Sequence, residues 1–180
     1  MTFLKKVFLL SALAGFLIPA TSFAADGFDG FYAGIKGGLG LVNTSGRSVK
    51  GPFSNSSDSG VAGLFAGTRT EVTNQIVVGI EGDALYYSAG KDWRYGGGAL
   101  IGLPVNENGL AFAKVGYAKL DTDFVDVDGI TLGVGYEHIM SDNLNLRFDV
   151  QTLAYKDPTI NTVKTSYTGY EVTVGAVFKF

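Results

Sequence analysis

Two residue sets alternate without a break through residues 170–180, YEVTVGAVFKF. Tyr170, Val172, Val174, Ala176, Phe178 and Phe180 form a wholly apolar set, while Glu171, Thr173, Gly175, Val177 and Lys179 form the other. A period of two belongs to a β-strand, whose successive side chains point to opposite faces. The same alternation recurs over 30–42, 60–70, 75–88, 93–103, 109–120, 129–139, 144–155 and 168–180. Each segment is near the ~9 to 11 residues that a tilted strand needs to cross a bilayer core. The connections are unequal. Those at 71–74, 104–108 and 140–143 are short and turn-like. Those at 43–59, rich in Ser, Asn and Gly, and at 156–167, polar with one Pro, are longer. The connections around Gly90 and at 123–128 are shorter but polar. Short turns on one rim and longer loops on the other predict an all-β chain, an eight-stranded antiparallel up-and-down transmembrane β-barrel.

The two faces say which side is inside. One carries Lys36, Arg69, Glu81, Asp83, Arg94, Lys114, Glu137, Arg147, Asp149, Glu171 and Lys179, interleaved with glycines such as Gly34, Gly79, Gly98, Gly116, Gly135 and Gly175. A water-soluble barrel of the lipocalin kind would turn its polar face to solvent, where strands have no need of so many glycines. Inside a narrow barrel, Gly makes room for the long charged side chains beside it. The opposite face offers Ile76, Val78 and Ile80, then Ile130, Leu132, Val134 and Tyr136, then Leu144, Leu146, Phe148 and Val150. It carries no charge, as lipid contact requires, because Lys or Arg there costs ~2 to 4 kcal/mol at the midplane. Tyr86, Trp93, Tyr95 and Tyr170 fall toward the long-loop rim, and Tyr136, Phe148, Phe178 and Phe180 toward the short-turn rim, as aromatic girdles.

Residues 1–24 stand apart. Lys5 and Lys6, the apolar run 7–18 and the small-x-small box Ser22-Phe23-Ala24 make a secretory signal peptide, leaving 25–180 as one barrel domain. The chain has no Cys, so neither a lipidated N-terminus nor a disulfide framework is expected. Its formal net charge of −3, more negative once the leader's two lysines are removed, argues against a nucleic-acid partner.

The stretches IVVGIEGD (76–83), FAKVGYAKL (112–120), ITLGVGYEHIMSDNLNLRFDV (130–150) and the closing GYEVTVGAVFKF carry a resemblance over the whole mature chain. It resembles the small eight-stranded outer-membrane barrels of Gram-negative bacteria, of the outer-membrane protein A and X type and the opacity-protein or surface-antigen families. The resemblance implies an outer-membrane location, with lipid and lipopolysaccharide around the barrel. It implies that Phe180, Phe178 and Tyr170 form an assembly signal read by the barrel-assembly machinery, and that the last strand closes on the first. It implies a structural or adhesion role through the extracellular loops, with a narrow pore for ions or small solutes as the alternative. Because the chain stops at Phe180, no peptidoglycan-binding domain is expected to follow. An interior network of opposite charges is also implied, in which we place Glu137 and Arg147, set opposite each other across the turn at 141–143. Glu81 and Lys114 are its further members. Arg94, alone at the outer end of the fourth strand, departs from that pattern. Replacing Arg147 alone should then destabilise more than replacing Glu137 and Arg147 together, since a buried charge without a partner is costly.

Catalytic and metal chemistry find little support. His138, the single histidine, precedes Ser141, but the spacing is His-x-x-Ser where the resembling lipid A deacylases have His-x-Ser, and His138 shares the lipid-facing parity of Tyr136. No enzymatic activity and no cofactor are expected. Asp121, Asp123, Asp126 and Asp128 miss the spacing of a calcium loop and read as a solvated hairpin tip with Asp128-Gly129 at its turn. The segment 43–59 suits either a contact surface for host molecules or a polar tether.

Overall fold

A computed structural model describes residues 28–48, 51–73, 76–121, 127–155, 159–160 and 163–180. The expected leader at 1–24 lies outside them. The described chain forms β1 (Gly30–Ser48), β2 (Gly51–Thr73), β3 (Ile76–Tyr87), β4 (Asp92–Asn106), β5 (Gly109–Asp121), β6 (Val127–Ser141), β7 (Leu144–Tyr155), β8 (Thr159–Ile160) and β9 (Val163–Lys179). Consecutive strands pair antiparallel from β1 to β7, β9 follows β7, and β9 closes on β1 from Tyr32↔Lys179 to Gly46↔Thr165. The barrel therefore has eight staves, and the two-residue β8 pairs only with β9. Closure leaves the membrane region without an unpaired edge, the condition a sheet must meet in lipid.

Alternation becomes sidedness. Ile35, Leu39, Ile80, Ile101, Val134, Phe148 and Val174 stand exposed on the outer face, where water would make them a liability and lipid does not. Tyr86, Trp93 and Tyr95 form a continuous aromatic strip at the long-loop end of β3 and β4, with ring centroids 5.4 and 6.2 Å apart. Each short turn is preceded by a bulge, between Glu71 and Thr73, Pro104 and Asn106, and Ile139 and Ser141. Bulges end a ladder and bend its strand. One also accommodates Pro104, which has no N–H to give a ladder.

Three expectations are corrected. The segment 43–59 is not simply a loop, because the β1–β2 ladder continues to Ser48↔Gly51. Likewise, within 156–167 the described residues are strand, Thr159–Ile160 as β8 and β9 from Val163. The backbone of a Ser- and Asn-rich segment satisfies its hydrogen bonds by extending a pairing already nucleated in the membrane, an option that polarity alone does not reveal. Third, Asp128 and Gly129 are not turn residues. They pair with Lys119 and Ala118 inside the β5–β6 ladder, and Asp123 and Asp126 lie outside the described residues.

Candidate functional site: the closed interior

Inward-facing side chains from every stave meet in two groups of ion pairs stacked along the barrel axis. In the lower group, toward the short turns, Glu137 and Arg147 are register partners on β6 and β7. Arg147 Nε donates to Glu137 at 2.9 Å. Arg69 on β2 donates from both terminal nitrogens to the same carboxylate, at 2.9 and 2.7 Å, and Asn145 adds a bond at 2.5 Å. Paired parallel bonds of this kind are the strongest geometry a guanidinium offers. Arg147 also donates to Glu81, which accepts from Tyr32 at 2.8 Å and lies 3.2 Å from Lys114 Nζ. Lys114 reaches on to Asp149 at 2.9 Å. The sequence-selected Glu81, Lys114, Glu137 and Arg147 thus sit in one connected ladder, with Arg69, Asp149, Tyr32 and Asn145.

The upper group lies toward the long loops. Lys36 and Arg94 share Asp83 at 2.6 and 2.9 Å, and Arg94 continues to Glu171 at 3.0 Å. Tyr87 and Gln151 donate to Glu171. The position of Arg94 at the outer end of β4 is what lets it bridge β3 to β9 across the lumen. Linear spacing gave no sign of that, because the contact crosses the barrel and does not pass between neighbours.

Between the groups lies a cavity of about 20 Å³, lined by Glu81, Asp83, Arg94, Lys114, Thr131, Gln151 and backbone at Gly96, Gly98 and Gly116. That is room for about one water molecule. Gly98 is indispensable to this closeness, since a Cβ there would come within 2.5 Å of the Gly116 Cα on the neighbouring strand.

The interior is also more apolar than alternation indicates. Phe28, Val77, Leu100, Leu110 and Phe112 cluster at the short-turn end, Tyr32, Phe65 and Val177 beside the lower ladder, and Val61, Leu85 and Tyr87 near the long-loop end. The Arg147 guanidinium lies 4.8 Å from the Phe65 ring centroid and 4.9 Å from that of Phe112. Cation–π contact and bidentate pairing together replace the water that a charge loses on burial. Several glycines therefore make room for rings as well as charges: a Cβ on Gly135 would sit 2.3 Å from the Phe112 ring. These aromatics share the parity of the charges, which is the signal by which sequence could have found them.

Outside the lumen, Phe178, Phe180 and Tyr170 stand exposed on the outer face of β9 and its end, and the Phe180 N–H bonds the Phe31 carbonyl at 3.0 Å, continuing the seam by one residue. His138 lies stacked against Tyr136, ring centroids 6.3 Å apart, on the same outer face. Among the described residues no group of three or more His, Cys, Asp or Glu could hold a metal ion.

A family model for the outer membrane protein β-barrel domain matches residues 8–180. The chain belongs to the outer membrane protein β-barrel family. Its place is the cell outer membrane, so the short turns face the periplasm and the tall β1–β2 hairpin faces outward. No curated relative matches the sequence. Among solved structures, Neisserial surface protein A (NspA) is similar at 18% identity with a TM-score of 0.50, over 83% of this chain and 97% of its own. OprG from Pseudomonas aeruginosa is similar at 12% identity, TM-score 0.45, over 86% and 99%. Ail, the attachment invasion locus protein of Yersinia pestis, is similar at 16% identity, TM-score 0.41, over 84% and 99%. At these identities the likeness concerns the fold.

Proposed function

We propose that this protein is a non-enzymatic surface barrel, closed to solutes, whose function is exerted by the strands and loops it raises above the outer leaflet. The observation that carries this reading is the contrast between the two parts of the molecule. Ion pairs and rings cross the lumen, and the pocket between the two groups has room for about one water molecule, about 20 Å³. Beyond Leu41, by contrast, β1 continues to Ser48, flanked by β2 throughout and by β9 as far as Gly46, roughly 20 Å along the strand at ~3.3 Å per residue. The sequence there is rich in Ser, Asn and Gly and carries Arg47 and Lys50, suited to hydrogen-bonded and charged contact with host surface molecules. Lipid and lipopolysaccharide are the proposed surroundings of the outer face. Phe180, Phe178 and Tyr170 are the proposed recognition face for the barrel-assembly machinery. The pore reading is disfavoured because each lumenal carboxylate in the lower ladder has at least one basic partner, and opening a path would strand buried charges.

The test shortens the hairpin. Cells displaying the barrel with 43–56 replaced by an Asn-Gly turn, which joins the register partners Val42 and Ser57, should lose binding to host-cell monolayers while retaining normal amounts of heat-modifiable folded protein. Undiminished binding by the shortened barrel would contradict the proposal.

A further inference from the structure

Phe28 is not part of any stave, yet it is as buried as the core, at 2% exposure. It precedes β1, and Gly30 turns the chain with φ 101°, a left-handed backbone that a non-glycine residue adopts only under strain. The turn brings the ring into the periplasmic mouth, in the cluster formed by Val77, Leu100, Leu110 and Phe112, with Ile139 against it. On its other side lies Arg69. The guanidinium of Arg69 has the Phe28 ring centroid at 5.4 Å and that of Tyr32 at 4.7 Å, while its nitrogens hold Glu137. An aromatic contact to a guanidinium gains strength as water is excluded.

We propose that the periplasmic mouth is a receptor site for one aromatic side chain, occupied in cis by Phe28, and that the Phe28 ring acts as a plug sealing the lower ion-pair ladder from periplasmic water. The occupant is a segment of this chain, and its seat is composite. Arg69 comes from β2, Val77 from β3, Leu100 from β4, and Leu110 and Phe112 from β5, whereas Phe28 arrives with β1. No single hairpin supplies the site. Seating therefore requires β2 to β5 to be paired and β1 to stand beside β2, so it depends on the pairing of at least five staves. The plug differs in kind from the ladder. The ladder fills the lumen by charge, whereas the plug covers the ladder's lower end with an apolar ring packed on the core cluster and on Arg69.

The chain has no Cys, so Leu110→Cys provides a single thiol inside the seat. Folded barrels in detergent, selected by their heat-shifted gel mobility, would be exposed to a charged methanethiosulfonate reagent. We expect slow labelling with Phe28 present, and labelling at least about tenfold faster with Phe28→Gly, because the rate follows the fraction of time the site is open. Phe28→Leu should restore most of the protection. Gly30→Ala, which leaves the ring intact but strains the turn that delivers it, should also accelerate labelling, and serves if Phe28→Gly folds poorly. Equal rates in the parent and Gly30→Ala barrels, or rapid labelling with Phe28 in place, would overturn the proposal.

Discussion

Breaking the ladder at Arg147 and Glu137 has a consequence that the structure revises from the simple pair. Arg147 is 1% exposed and Glu137 fully buried. Removing one partner of such a pair costs ~3 to 5 kcal/mol. Here each group keeps other partners: Glu137 retains Arg69 and Asn145, while Glu81 retains Lys114 and Tyr32. Arg147→Met and Glu137→Gln are therefore expected near the low end, about 3 kcal/mol each. The double variant would leave Arg69 without its carboxylate, so it does not return to the stability of the parent or of Arg147→Met. It nevertheless removes one charge of each sign, and direct neighbours couple by ~0.5 to 3 kcal/mol. We expect the double to cost about 4 kcal/mol, some 2 less than the sum of the singles. The expectation that Arg147 alone is worse than the pair thus gives way to subadditivity. The assay is reversible urea unfolding in lipid vesicles, followed by the fluorescence of Trp93, the sole tryptophan. Costs that add within ~0.5 kcal/mol would show that the two groups do not act as a pair and would refute the argument.

Further perturbations test other parts of the account. Gly135→Ala should cost ~1 to 3 kcal/mol by driving a Cβ against the Phe112 ring, and Phe112→Leu introduced with it should recover part of that loss in the same unfolding assay. Val134→Arg, on the exposed outer face of β6, should cost ~2 to 4 kcal/mol in vesicles, whereas Val134→Leu should be near neutral. Phe180→Ser should lower the amount of folded barrel in cells several-fold while changing the stability of protein refolded in vitro by less than ~1 kcal/mol, since the ring is exposed beyond the last strand. Equal losses in both settings would assign Phe180 to packing and not to assembly.

The fold was legible because lipid imposes a rule on sequence that water does not. Every outward position from Ile76 to Ile80 and from Ile130 to Tyr136 must be apolar, and the inward ones are free to be Gly or charged, so parity alone assigns sides. Glu137 and Arg147 could be paired in advance because a tight turn fixes which residues of a hairpin face one another. Contacts that cross the lumen were not legible. Arg69 to Glu137, and Arg94 to Glu171, depend on barrel diameter and stagger, which local spacing does not encode. Nor did polarity predict strand in 43–59, because there the pairing is inherited from the membrane-embedded ladder and does not depend on hydrophobic pattern. Phe28 was hidden for a different reason: it lies outside the alternation, and only the Gly30 turn directs it inward.

The most direct test of the closed barrel is single-channel recording of refolded 25–180 in a planar bilayer, with insertion verified independently. The account predicts a silent bilayer, unchanged by neutralising Glu81 or Arg147 singly as long as the barrel stays folded. Steady, reproducible openings whose conductance or ion selectivity shifts with Glu81→Gln or Arg147→Met would show that the ladder lines a pathway, and would contradict it.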